Sequence, residues 1–211
     1  MQTLLKEIKK LENSSLNEKV EKRLKEFSSF SSKSNEEWFS ELCFCILAAN
    51  SKQKTAENIE KSLKYEKLLT LSQEELANFI RNNKHRFHNN KAKFIVEARK
   101  YFNIKDKINE IIKQKGYEEA RLWLVQNVKG IGYKEASHFL RNTGFFDLAI
   151  LDRHILNTMI ENNIIERPKT LTRNNYLEIE KIFFNLAKKL EMPPAKLDLF
   201  MWYMKTGEVL K

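Results

Sequence analysis

Two glycines, a lysine and an aspartate are the residues in this sequence best placed for chemistry. Val128-Lys129-Gly130-Ile131-Gly132-Tyr133-Lys134 sets a tight turn ahead of a helix, with a lysine in that helix's first turn. Leu151-Asp152-Arg153-His154 then puts an aspartate at the head of the next apolar helix. Without a Cβ, Gly130 and Gly132 let the backbone approach an anion closely. The free N–H groups of a helix start favour a phosphate at that spot. Lys134 suits an amine nucleophile, although Glu135 beside it works against this unless it points away. Asp152 suits a helix cap, worth about 1 kcal/mol, and a carboxylate fixed there can also face a developing cation. The plainer readings are an ordinary inter-helix turn, a solvent-facing lysine and a pure cap. His154 reads as structural, because the four histidines form no ligand cluster.

The neighbours of the glycines decide between binding folds. A dinucleotide site needs a strand before the G-x-G, a third glycine and a later acid. Here the preceding segment, 117–128, reads as helical. Helix, G-x-G turn, helix is how a helix–hairpin–helix motif reads, over about 117–143. Such a motif holds one DNA strand through its phosphates without reading sequence.

Elsewhere the elements are helical too. Apolar residues recur at helical spacing almost everywhere, while strand-like alternation is rare and Gly and Pro are scarce. Helices are expected at 4–11, 16–30, 38–49, 55–63, 73–82, 90–101, 104–113, 117–128, 175–190 and 194–205, besides the two that carry Lys134 and Asp152. Ser34 with Glu37 and Ser72 with Glu75 are capping boxes. Trp38 to Ala49 is the most apolar run and reads as the central core helix. The fold class expected is all-α: two helical lobes with a cleft between them, in a single compact unit spanning 1–211.

The net charge of +10 points to an anionic partner. Cys43 and Cys45, within an apolar run, read as buried thiols and cannot build a four-cysteine site. The N-terminus alternates charge and leucine, so no signal peptide is expected, and no run is long enough to cross a membrane. A soluble, reducing, cytoplasmic setting follows as an expectation.

At this point the sequence resembles a known family. Val-Lys-Gly-Ile-Gly-Tyr-Lys followed by Ala-Ile-Leu-Asp-Arg-His is similar to the helix–hairpin–helix–Gly/Pro–Asp signature of base-excision DNA glycosylases. The branch it resembles is the short, archaeal-type 8-oxoguanine DNA glycosylase/AP lyase. The resemblance extends over the whole chain, through Asn-Glu-Glu-Trp-Phe at Trp38, Glu-Leu-Cys-Phe-Cys-Ile-Leu at Cys43, His-Arg-Phe at Phe87 and the closing Trp-Tyr-Met-Lys-Thr-Gly-Glu-Val-Leu-Lys. It implies excision of 8-oxoguanine from double-stranded DNA by base flipping, followed by strand cleavage at the abasic site. Lys134 then matches the nucleophile that forms a Schiff base at C1′, and Asp152 the essential acid.

The resemblance further implies an aromatic slot for the flipped base, with Phe87 on one side and Trp202 on the other. Lys211, on which the sequence ends, would close it, and Asp198 is a weaker candidate for its edge. Asn50 and Ser51 would fill the gap left in the duplex, although this segment departs from the familiar Gln-containing loop. On spacing alone, Trp202 suits core packing and Phe87 suits pinning a loop. Lys129, Lys52 and Arg86 are phosphate contacts on charge, beside Gly130 and Gly132 at the hairpin. No metal or other cofactor is implied: the four-cysteine cluster loop of endonuclease III-like relatives is absent, though hairpins of this kind can hold a monovalent cation. A monomer suits an enzyme that surveys DNA. Two other readings stay open, a related glycosylase/lyase for oxidised pyrimidines and a non-catalytic helix–hairpin–helix DNA-binding module.

Overall fold

The computed structural model describes residues 1–211, and they are helical with no strand. The helices are α1 Gln2–Glu12, α2 Leu16–Ser28, α3 Asn35–Ala48, α4 Gln53–Thr70, α5 Gln73–Asn82, α6 His88–Ala98, α7 Ile104–Lys115, α8 Tyr117–Asn127, α9 Tyr133–Asn142, α10 Arg153–Glu161, α11 Arg173–Leu190 and α12 Pro194–Thr206. The chain divides into two compact units, one of residues 32–139 and one of residues 1–31 with 140–211.

The 32–139 unit is built on α3. Ser34 Oγ accepts the Glu37 N–H and Glu37 Oε2 accepts the Ser34 N–H at 3.0 Å, which starts the helix. From Trp38 to Ala49 every residue but Ser40 is buried, as an all-round apolar helix must be. Helices α4, α6 and α7 pack on it, α5 packs on α6, and α8 on α7. Cys43 and Cys45 are completely buried and in no disulfide. Burial pushes the Cys43 thiol up, away from the thiolate.

In the other unit α12 is central, packed by α1, α2, α10 and α11. Pro194 opens it at a position where no N–H is needed, and Gly207 ends it in the left-handed region at φ 72°. A buried ion pair ties the end of α9 to α12: Arg141 Nη1 donates to Asp198 Oδ2 at 2.5 Å.

Most helix ends fall within three residues of the spacing-based expectation, and three of the departures have a visible cause. Beyond Leu63, Lys64 turns left-handed at φ 49°, and the chain resumes helix up to Thr70. The ends expected at Phe30 and Tyr101 are 3₁₀ turns, Ser29–Ser32 and Arg99–Tyr101. Periodicity does not distinguish a tightened last turn from α-helix.

Candidate active site and nucleic-acid interface

The hairpin is narrow because it has to be glycine. Ile131 N–H closes the turn on Val128 O at 3.3 Å. Gly130 sits at φ +84°, and a Cβ there would fall 2.5 Å from Phe94 Cδ2 on α6. Conformation and space therefore both require glycine. The flanking helices are locked by Arg121 of α8, which is buried: its Nη1 donates to Ser137 Oγ at 3.3 Å and its guanidinium lies 5.2 Å over the Tyr133 ring.

Gly132 stands just ahead of α9, and its carbonyl accepts the Ala136 N–H at 2.9 Å. A helix start of this kind favours an anion. Glu135 reaches back, and its Oε2 accepts the Gly132 N–H at 3.2 Å. Its other oxygen lies 3.4 Å from Lys134 Nζ. So Glu135 does not point away from the lysine; it holds it. Lys134 is half-buried, with 25% of its side chain exposed.

Beneath this turn, Lys91 of α6 is buried and donates from Nζ to Ile46 O of α3 at 2.7 Å. Desolvation brings it down to about 8, with Glu135 raising it and Lys134 lowering it.

Asp152 caps α10 through one oxygen only. Oδ1 accepts the N–H groups of His154 at 2.8 Å and Ile155 at 2.9 Å. Oδ2 takes no part in the cap. The half-buried Trp202 of α12 meets His154 edge-to-face at 4.7 Å between ring centroids, which brings the indole beside the helix start that Asp152 caps.

The remaining candidates divide by surroundings. Phe87 is 41% exposed, with the Arg86 guanidinium 5.1 Å over its ring. Asn50 is exposed and left-handed, at φ 56°, at the end of α3, and Ser51 is half-buried after it. Lys52 is exposed at the head of α4. Lys129 is exposed and paired at 3.4 Å with Glu97, a surface pair of small worth. Asp198, by contrast, is buried on Arg141, whose guanidinium also lies 4.8 Å over Phe27 and donates to Asn142 Oδ1. Lys211 is half-buried, and its stretch is tied to α2 by Arg23 Nη2 donating to Val209 O at 3.3 Å.

The family model described as 8-oxoguanine DNA glycosylase matches residues 20–192. The chain belongs to the 8-oxoguanine DNA glycosylase family. It is 49% identical to the 8-oxoguanine DNA glycosylase/AP lyase of Methanocaldococcus jannaschii, over 99% of each chain. The crystal structure of the M. jannaschii 8-oxoguanine glycosylase/lyase with a 15mer DNA containing 8-oxoguanine superposes with a TM-score of 0.95. It is 48% identical and covers 99% of this chain and 100% of that one. The 8-oxoguanine DNA glycosylase of Thermotoga maritima gives a TM-score of 0.92 at 38% identity, covering 100% of this chain and 99% of that one.

For a glycosylase of this family, the residues that sequence reasoning passed over are His85, Lys91 and Phe94. His85 stands in the His-Arg-Phe stretch of the resemblance without a role of its own, and Lys91 lies next to Ala92 and one turn from Ile95 on the apolar face of α6. No helix is long and apolar enough to cross a membrane.

Proposed function

We propose that this protein excises 8-oxoguanine from double-stranded DNA and cleaves the resulting abasic site, with Lys134 as nucleophile. The observation that carries the reading is a half-buried lysine in the first turn after a glycine hairpin whose N–H groups suit a phosphate. A DNA-binding module needs the hairpin but has no use for a half-buried amine held there.

The extruded base stacks on Phe87, Trp202 and Lys211 take the base-recognition roles that the family resemblance implies, and Asn50 and Ser51 fill the gap in the duplex. Asp198 acts at one remove, holding Arg141 and so the end of α9 against α12. Lys134 Nζ bonds to C1′ as the bond from C1′ to the base breaks, and the electron pair leaves with the base, which takes up a proton. Asp152, through the oxygen outside its cap, faces the positive charge that develops on the sugar. The C1′–O4′ bond then breaks, O4′ takes up one of the amine's two protons as the other passes to solvent, and a Schiff base stands at C1′. Loss of a C2′ proton then expels the 3′ phosphate oxygen with its electron pair, which cuts the strand. Water finally hydrolyses the imine and frees Lys134.

Lys129, Lys52 and Arg86 contact phosphates beside the hairpin of Gly130 and Gly132, whose turn can hold a monovalent cation. The chemistry calls on no iron–sulfur cluster or other cofactor. The protein works as a monomer on cytoplasmic DNA.

Borohydride trapping tests the reading. A duplex with one 8-oxoguanine is expected to give a covalent adduct that plain guanine duplex and Lys134→Gln do not. Salt-sensitive binding without any adduct would leave the DNA-binding module or a glycosylase that uses water instead of lysine.

A further inference from the structure

The last carbonyls of a helix need donors from outside it. At the end of α3, Ala49 N–H takes Cys45 O at 3.2 Å and Ser51 N–H takes Ala48 O at 3.1 Å. The two carbonyls between are served by side chains from one short stretch, Ile46 O by Lys91 Nζ at 2.7 Å and Leu47 O by His85 Nε2 at 2.9 Å. Arg86 Nη2 adds a bond to Asn50 O at 3.4 Å. The stretch 85–91 thus closes α3 where the backbone turns left-handed at Asn50.

His85 is the joint in this arrangement. Its bond to a carbonyl requires the proton on Nε2, which leaves Nδ1 an acceptor. Nδ1 accepts the Phe87 N–H at 3.2 Å. The imidazole is 3% exposed and meets the Phe87 ring edge-to-face at 6.5 Å, while that ring itself stands in solvent. The backbone reaches this point through Lys84 at φ 62° and a bond from His85 N–H to Ile80 O at 3.3 Å. Phe87 is therefore held from below through its N–H, while its ring is 41% exposed and carries the Arg86 guanidinium over one face.

We propose that His85 is a positioning residue for base recognition: its neutral imidazole fastens Phe87 to the end of α3 that carries Asn50 and Ser51. One buried side chain then keeps the residue that stacks on the extruded base in register with the residues that replace it in the duplex. The inference rests on the roles given above to Phe87, Asn50 and Ser51. It adds no contact between His85 and DNA.

His85→Gln and His85→Asn separate its two bonds. Glutamine carries an N–H at about the reach of Nε2 and keeps the donor to Leu47 O, but loses the acceptor for Phe87. Asparagine carries an acceptor at about the reach of Nδ1 and loses Leu47. Each variant is assayed in single turnover on a duplex with 8-oxoguanine and on the same duplex with a preformed abasic site. Both are expected to lower excision on the order of ten-fold, the scale of a small misplacement, while abasic-site cleavage stays within about two-fold. A 2-aminopurine beside the lesion is expected to report slower base extrusion. Retained abasic-site cleavage doubles as the check that each variant folds. Equal loss in both reactions, or unchanged excision in both variants, would overturn the proposal. A wild-type protein that cleaves abasic sites but leaves 8-oxoguanine in place would overturn the functional reading beneath it as well.

Discussion

Glu135 holds Lys134 with one carboxylate oxygen, Oε1 to Nζ at 3.4 Å, and the hairpin with the other, Oε2 to the Gly132 N–H at 3.2 Å. One side chain thus connects the phosphate-binding turn to the amine. The amine must leave this contact to reach a substrate carbon, so Glu135 acts as a restraint that reaction must release. Glu135→Gln keeps an acceptor for Gly132 and removes the charge. It is expected to form the borohydride-trapped adduct a few-fold faster at neutral pH, on the scale of one weak charge pair. Glu135→Ala also loses the bond to Gly132 and is expected to cost about 1 kcal/mol in urea melts. A slower adduct with Glu135→Gln would make Glu135 a helper rather than a restraint.

The division of labour in Asp152 gives a second prediction. Both cap bonds fall on Oδ1, and asparagine supplies that oxygen as well. Asp152→Asn should therefore melt within about 0.5 kcal/mol of wild type yet excise at least about 100-fold more slowly, the size of a lost electrostatic stabiliser. Asp152→Ala should lose activity similarly and about 1 kcal/mol of stability besides. Single-turnover excision by Asp152→Asn at the wild-type rate would reduce the residue to its cap.

Gly130 and Phe94 form a testable pair. Alanine at 130 meets an unfavourable φ, worth about 1 kcal/mol, and a ring carbon 2.5 Å away, so a total cost of about 2–3 kcal/mol is expected. Phe94→Leu vacates that space and leaves the backbone penalty. The double variant should be more stable than the sum of the singles predicts, by about 1 kcal/mol, in a double-mutant cycle. Additive losses would place the whole cost in the backbone.

His85 gives the pH dependence. Burial holds its pKa below the ordinary 6.5, opposed by the bond to Leu47 O and helped by the cationic Lys91, Arg86 and His88 around it. Between the folded and unfolded values the unfolded chain binds more protons. The stability carried by neutral His85 is therefore complete above about 6.5 and falls as pH drops towards the folded value. The urea midpoint of wild type is expected to fall more steeply from pH 7.5 to 5 than that of His85→Gln. Parallel curves would show that another group titrates.

How much of this the sequence discloses depends on distance along the chain. The capping boxes at Ser34 and Ser72 and the cap at Asp152 use partners within three residues, so local spacing is enough to read them. The same holds for the helix after the hairpin, announced by Gly132 and Lys134. By contrast, Asp198 finds Arg141 across 57 residues and His85 finds Leu47 across 38, and no periodicity connects either pair. The sequence discloses that Glu135 adjoins Lys134, but which way it points follows from the shape of the turn at Gly132. For Asn50, the helix end is legible from the loss of apolar residues, whereas its left-handed backbone is not.

The thiols of Cys43 and Cys45 lie sealed inside α3, and burial keeps the Cys43 sulfur in its protonated, sluggish form. The lesion this family is named for arises where oxidants are abundant, and an exposed thiolate there would climb irreversibly to sulfinic acid. A repair protein with its thiols locked in the core keeps them from the same stress that creates its work. Peroxide-treated native protein should accordingly yield both thiols intact when they are counted after unfolding.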